Sequence, residues 1–299
     1  MTGLSDERWR ELLRLRATRP EAVAQAYAER TRADSLLSRR GTLFLVAADH
    51  PARGALSAGE RLLAMGDRRS LLTRLLTALE NPDVDGVLGS PDVVEELLLL
   101  GALERKVVIG SMNRGGLDGA TWTIDDRFTG YDAESIARCR LDGGKMLLRI
   151  DDEDAATART IEACAQAVTA LAGRELLAMV EPLPYRRQDG VLALQRDTGS
   201  LVRAITVASA LGTTSAYTWL KLPSCEDPRT VFGATTLPCV VLGGVPGPDP
   251  AADLNGWGEA LVQDTVRGLL VGRTLLYPPD DDVARAVEAA AAVLRAAKR

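Results

Sequence analysis

GKMLLRIDDEDAATARTIEACAQAVTALAGRELLAMVE (144–181) decides the fold. It opens on a short, continuous apolar run, GKMLLRID (144–151). A longer segment, Glu153–Ala172, follows with apolar residues at three- and four-residue intervals, and ELLAMVE (175–181) closes the stretch. Runs of this length are too short for helices. Their unbroken Val, Ile and Leu content is that of strands buried on both faces, and the segment between them has the spacing of an amphipathic helix. The stretch predicts a strand–helix–strand unit with parallel strands.

The same unit recurs outward in both directions. Before it lie TLFLVAAD (42–49), VDGVLG (84–89) and KVVIG (106–110), and after it YTWLKLP (217–223), CVVLGG (239–244) and GLLVGR (268–273), so that the chain holds eight runs. Helical spacing appears at Ser70–Glu80, Pro91–Leu100, Asp197–Leu211, Asn255–Arg267 and Asp282–Ala297; Pro91 and Asp92 suit a first helical turn. Eight strand–helix units match a (β/α)8 barrel, for which ~250 residues is typical. The rival is a doubly wound open sheet, but no GxGxxG follows the first run. The expected arrangement is a single domain over residues 1–299. Residues 1–40 would be an N-terminal helical extension, with one or two helices within 4–34 as a lid on the barrel's N-terminal end, and 41–299 the barrel.

Composition narrows the function. Apolar residues are 46% and charged residues 26%, and the formal charge is −5, which argues against binding a nucleic-acid backbone. The longest apolar stretch, around Leu97–Leu103, is far short of the ~20 residues that cross a bilayer. The densely charged first residues lack the apolar core of a secretory signal, so the chain is read as cytoplasmic. Cys139, Cys164, Cys225 and Cys239 have no CxxC spacing and are expected reduced and mostly buried. One histidine, His50, cannot build an imidazole-rich metal site; neither metal nor cofactor is expected.

In a barrel the chemistry sits where strands end. The first run ends in Asp49-His50, the fourth carries Lys145 and ends at Arg149 and Asp151, and the fifth ends in Glu181. Lys221 lies in the sixth, Gly243-Gly244 end the seventh, and Gly272-Arg273 the eighth. Of 36 basic residues only Lys106, Lys145, Lys221 and Lys298 are lysines. Two of them lie within strands, where arginine could not give up a proton and lysine can become an amine nucleophile. Lys221, flanked by Trp219-Leu220 and Leu222-Pro223, is the candidate nucleophile. Lys145 beside it would disfavour its charged form. The plainer alternative is an internal ion pair with Glu181 or Asp49, which leaves those carboxylates free to shuttle protons as well. His50 would orient Asp49 or bind substrate, and Tyr185 is a weaker candidate at the rim. Glycines at the ends of the last two runs let the backbone approach a phosphate, and Arg273 adds a planar fork of donors.

These residues together resemble the class I, Schiff-base aldolases with (β/α)8 barrels. That superfamily includes deoxyribose-phosphate aldolase, archaeal-type fructose-bisphosphate aldolase and tagatose-bisphosphate aldolase. The chain is similar above all to an actinobacterial aldolase-like family associated with inositol catabolism. YTWLKLP resembles the strand of the imine-forming lysine, which gives that role to Lys221; GGKMLLRIDDED resembles the strand whose lysine lies in the active site, which is Lys145 here. VEPLPY implicates Glu181 and AADHP Asp49, while VLGG and LLVGR resemble phosphate-gripping turns built from Gly243, Gly244, Gly272 and Arg273. Arg149 and Ile150 replace tyrosines common after the fourth-strand lysine, and Arg149 is placed with His50 at the substrate. The seventh-strand lysine of deoxyribose-phosphate aldolase is lacking.

The resemblance implies metal-free cleavage or condensation of a phosphorylated sugar or sugar acid through a lysine imine. Alternatives on the same barrel are a phosphosugar isomerase or epimerase with Glu181 as base, and a non-catalytic sugar-phosphate-binding protein. The expected partner is a small phosphorylated carbohydrate, with neither nucleic acid nor membrane; a homo-oligomer is compatible with the resemblance.

Overall fold

A computed structural model of the chain describes residues 3–38, 40–188, 191–247 and 249–297. Two helices come first, α1 (Asp6–Thr18) and α2 (Glu21–Glu29). Then β1 (Leu43–Ala47), α3 (Arg68–Leu79), β2 (Gly86–Gly89), α4 (Pro91–Leu99), β3 (Val107–Ser111) and α5 (Ala133–Arg138) follow. The middle of the chain forms β4 (Gly143–Ile150), α6 (Ala156–Ala172), β5 (Leu177–Gln188), β6 (Val191–Leu194) and α7 (Thr198–Ser209). The last third forms β7 (Thr218–Pro223), α8 (Pro228–Phe232), β8 (Cys239–Leu242), α9 (Pro250–Leu261), β9 (Val266–Val271), α10 (Arg273–Leu276) and α11 (Val283–Ala297).

Eight of the strands pair in parallel in the order β1-β2-β3-β4-β5-β7-β8-β9, and β9 returns to β1, closing a (β/α)8 barrel. Each overlaps one of the eight apolar runs. The ninth strand, β6, was not foreseen: β5 runs on past the barrel and pairs antiparallel with it from Tyr185 to Gln188. No helix among the described residues is long and apolar enough to cross a membrane.

The strand period of two divides the core. Phe44, Val46, Val87, Val108, Met146, Val180 and Val241 face outward into the layer between sheet and helices. Leu43, Leu45, Ile109, Met179, Trp219, Val240 and Leu270 fill the barrel interior. Below, the interior is closed by Ala33, Leu36 and Leu37 rather than by the expected helical lid. The helices α1 and α2 lie at the side: Arg8 donates to the Leu100 carbonyl at 2.8 Å, and the hydroxyls of Tyr27 and Tyr131 share a 2.7 Å hydrogen bond.

Two further boundaries differ from expectation. The helix expected at Asn255–Arg267 begins at Pro250, because Asp249 accepts from the Ala251 amide at 2.9 Å and Pro250 suits the first turn, while Val266 and Arg267 already belong to β9. The helix expected from Glu153 begins at Ala156, since Asp151 and Asp154 spend their carboxylates on the Glu153 and Ala156 amides. Cys164 and Cys239 are buried, Cys139 and Cys225 half-buried, and all four are free thiols.

Candidate active site

The parity that packs the barrel also builds the site. Two residues above interior Ala47, Ile109, Met179 and Trp219 come Asp49, Ser111, Glu181 and Lys221, and Lys145 stands at the same level on β4, opposite Ser111 in register. One layer of a hydrophobic stack is thereby replaced by four ionisable groups and a serine hydroxyl, on or just past β1, β3, β4, β5 and β7. Asp49, Lys145, Glu181 and Lys221 line a cavity of about 300 Å³ that also takes in His50, Gly243, Gly244, Gly272 and Arg273.

Glu181 is the hub. Its Oε1 accepts from Lys221 Nζ at 2.8 Å and its Oε2 pairs with Lys145 Nζ, which also lies 3.4 Å from Asp49 Oδ2. That Asp49 oxygen accepts from Ser111 Oγ at 3.0 Å and lies 3.0 Å from Arg114 Nη2. The five charged groups are nearly sealed: Lys145 is 1% exposed, Asp49 1%, Lys221 4%, Arg114 4% and Glu181 7%. Water screens such charges little, so each sets its neighbour's protonation.

Burial opposes the charge on Glu181, but Lys145 and then Lys221 outweigh it and hold the carboxyl well below its usual range. Asp49 is likewise held low against burial by Arg114, then Lys145. Burial foremost, with Arg114 next, brings the Lys145 ammonium down to about 8. Burial and then Arg273 keep His50 neutral, its pKa well below 6.5. His50 Nδ1 stands 4.0 Å from Asp49 Oδ1 and makes no hydrogen bond.

The Gly272 turn packs closely on β1 and the Gly243 turn on β9. A Cβ on Gly272 would sit 2.5 Å from the Ala47 carbonyl oxygen and 2.9 Å from His50 Cε1, and one on Gly243 would collide with Val271. Gly244 adopts φ +71°, a left-handed turn that favours glycine. Arg273 begins α10 and reaches the Ser57 carbonyl at 3.3 Å, with its Nε unpartnered.

Arg149 is the exception among the residues expected at the substrate. Its guanidinium donates to Thr123 Oγ1 (2.5 Å), the Gly116 carbonyl (2.9 Å) and Asp126 Oδ2 (3.0 Å). It holds the chain that follows β3 and is not among the residues lining the cavity. Three arginines that do line it escaped the sequence reading: Arg53, Arg114 and Arg196. Arg53 pairs with Asp118 at 3.2 Å across the mouth. The cavity therefore carries six basic side chains against Asp49, Asp118 and Glu181, an excess of positive charge inside a chain of net −5. Such a site attracts anions. The tract Ser111-Met112-Asn113-Arg114, just past the third run, was the available signal for Arg114.

The Cgl0159-like family model matches residues 41–291. The crystal structure of Cgl0159 from Corynebacterium glutamicum (Brevibacterium flavum) is 46% identical and covers 98% of each chain, with a TM-score of 0.95. An archaeal fructose-1,6-bisphosphate aldolase, solved with its catalytic lysine bound to the carbinolamine intermediate, shares 16% identity over 91% of this chain and 99% of its own, with a TM-score of 0.66. The fructose-bisphosphate aldolase of Slackia heliotrinireducens shares 17% over 86% and 82%, with a TM-score of 0.65. At these identities the aldolases show a common barrel. No curated protein matches the sequence. Through the match over most of its length and its likeness to Cgl0159, the chain belongs to the Cgl0159-like family.

Proposed function

We propose that the protein is a class I aldolase that makes or breaks a carbon–carbon bond in a phosphorylated sugar-like substrate through an imine on Lys221. The observation that carries this reading is the buried pair of lysines sharing Glu181 at the C-terminal face of the barrel. The two lysines and Arg114 set three buried cations against two carboxylates, Glu181 and Asp49, which is costly unless one of the lysines works as an amine. The barrel shared with Schiff-base aldolases supports the same chemistry.

Lys221 is the better nucleophile because Glu181 is its one ion-pair partner among the described residues, whereas Lys145 is held by Asp49 as well. The Lys221 nitrogen adds its lone pair to the substrate carbonyl, and the oxygen takes a proton to give a carbinolamine. Loss of water leaves a protonated imine. In the cleavage direction the substrate hydroxyl loses its proton, the carbon–carbon bond breaks, and its electrons pass to the imine nitrogen as an enamine. Protonation at carbon and hydrolysis release the second product and restore the amine. Glu181, hydrogen-bonded to Lys221, passes protons at that nitrogen; Asp49 with Ser111 serves the hydroxyl. Lys145 supplies an ammonium to a substrate oxygen. Gly243, Gly244, Gly272 and Arg273 hold the phosphate, with His50 as a neutral neighbour, which fixes the carbonyl against the amine.

Borohydride reduction in the presence of dihydroxyacetone phosphate and a panel of other carbonyl compounds, read by intact mass and peptide mapping, tests the proposal. The expected result is a reduced adduct on Lys221 that is absent in Lys221→Arg. An adduct on Lys145 would exchange the two lysines, and no adduct from any carbonyl compound would sink the imine.

A further inference from the structure

The loop between β1 and α3 carries a tip that the chain leaves uncovered. Leu62 is 76% exposed and Leu63 71%, the most exposed large apolar side chains among the described residues. The tip nonetheless has a firm base. Ala58 and Arg61 exchange backbone hydrogen bonds at 3.0 and 3.2 Å, the Met65 amide donates to the Leu56 carbonyl at 3.0 Å, and Ala58 and Met65 are buried. Arg61 donates to the Pro278 carbonyl at 3.0 Å and to Asp281 at 2.8 Å, which ties the tip to the turn between α10 and α11. Arg74 of α3 holds the same Asp281 at 2.8 Å, so the leucines lie on the α3 side of that turn.

The turn also borders a cavity of about 350 Å³ on its α9 side. Pro246, Pro250, Leu254, Trp257, Pro278 and Ala286 give this cavity an apolar lining. Prolines are stiff and Trp257 is itself buried, so the walls are preformed. An ordered apolar knob and an apolar hole thus stand side by side, and each leaves surface facing water that burial would stabilise.

We propose that knob and hole fit each other across a two-fold axis: the Leu62-Leu63 tip of one copy of this chain enters the α9–α11 cavity of a second copy, whose own tip returns the contact. The proposal goes beyond the aldolase reading and does not depend on it. Three features point to a second copy as the occupant. A two-fold contact uses one self-complementary patch, which requires knob and hole on the same stretch of surface, and here a single turn joins them. Arg61, tied on the α3 side, keeps the tip out of its own molecule's cavity. The charges around the patch also match. Exposed Glu60 stands just before the leucines, and Arg285, paired with Asp280, stands at the cavity, so the exchange brings a carboxylate towards a guanidinium at the rim. Because the loop is already ordered by its base, docking costs it little freedom.

Sedimentation of the full chain over about 0.1 to 50 µM tests the proposal, and the wild-type protein is expected to be a dimer, or a multiple of one, at the upper end. Leu63→Glu places a charge on the knob, and Ala286→Arg places the opposite charge in the hole. Each variant alone is expected to weaken self-association by about a hundredfold or more, since both exchanges of its homodimer are spoiled. Mixing the two should restore a dimer that contains one of each. One exchange in it is unaltered, and the other sets the introduced carboxylate against the introduced guanidinium. That rescue would also show that neither variant had merely unfolded. A monomeric wild-type protein overturns the proposal, as does a dimer that survives either substitution. Two monomeric variants that stay monomeric when mixed overturn it as well, because knob and hole would then not be partners.

Discussion

Glu181 answers to two lysines, and the asymmetry between them is what separates their roles. Lys221 leans on Glu181, while Lys145 is shared by Glu181 and Asp49 and sits beside Arg114. Burial and Arg114 bring the Lys145 ammonium to about 8 from its usual 10.5, so it is charged below about pH 8 and neutral above. If its proton is needed at a substrate oxygen, kcat/KM should decline as pH rises through about 8. Lys145→Met should lose about a hundredfold or more in kcat, keep the borohydride adduct on Lys221, and lack that alkaline limb. A limb that persists in the variant would assign it to another group. The lysines were legible because they are scarce and lie within apolar runs. Arg53, Arg114 and Arg196 were not, because arginine is the ordinary basic residue of this chain and only the closed barrel shows which ones face inward. Arg149 shows the converse: strand position put it on the inner face, but the chain after β3 had already claimed it.

At the level of elements, the two ends of the barrel divide the work. An Asp-Gly pair precedes or opens β2 and β4 at the N-terminal end. Asp85 accepts from the Phe44 amide at 2.7 Å, and Asp142 from the Val108 amide at 2.8 Å, so each carboxylate ties one strand to its neighbour. A Cβ at Gly86 would fall on the Val107 carbonyl, which is why the strand opens on glycine. Asp142 also takes Arg32 at 2.8 Å and Arg30 at 3.7 Å, and Arg30 donates to the Lys106 and Arg140 carbonyls. The segment after α2 is anchored there, under the barrel. Asp142→Ala should therefore lower the unfolding free energy by about 1–3 kcal/mol, since it orphans a buried amide and an arginine. Urea unfolding measures the loss, and kcat of the folded fraction should stay within twofold because the site is at the other end. The eight barrel strands were legible because strands buried on both faces are continuously apolar. The β5 extension was not: Pro182 and Pro184 read as the end of a strand, since they lack an N–H for the ladder, yet both lie in β5 against β4.

Taken as a whole, the molecule carries its net negative charge outside a site whose basic groups outnumber its acidic ones, and the stability of that inversion depends on Asp49 and Glu181 staying ionised. Both ionise at lower pH in the folded chain than their usual 3.8 and 4.5, because buried cations surround them. By linkage, the stability they contribute is complete above about pH 5 and is lost as pH falls through and below those usual values. Asp85 has the opposite sign. Burial raises it to about 6, so the folded chain takes up its proton first and its contribution grows as pH falls from about 6 toward 3.8. Two depressed carboxyls in a cluster of cations outweigh one raised carboxyl, so stability should fall on the acid side. Asp85→Asn, neutral at every pH, should make that fall steeper. Urea midpoints of both proteins between pH 7 and pH 3 measure this. A wild-type midpoint that rises between pH 5 and pH 3 would mean that Asp49 and Glu181 are not held as anions in the folded protein. The lysine pair would then lack the counter-charge on which the proposed chemistry depends.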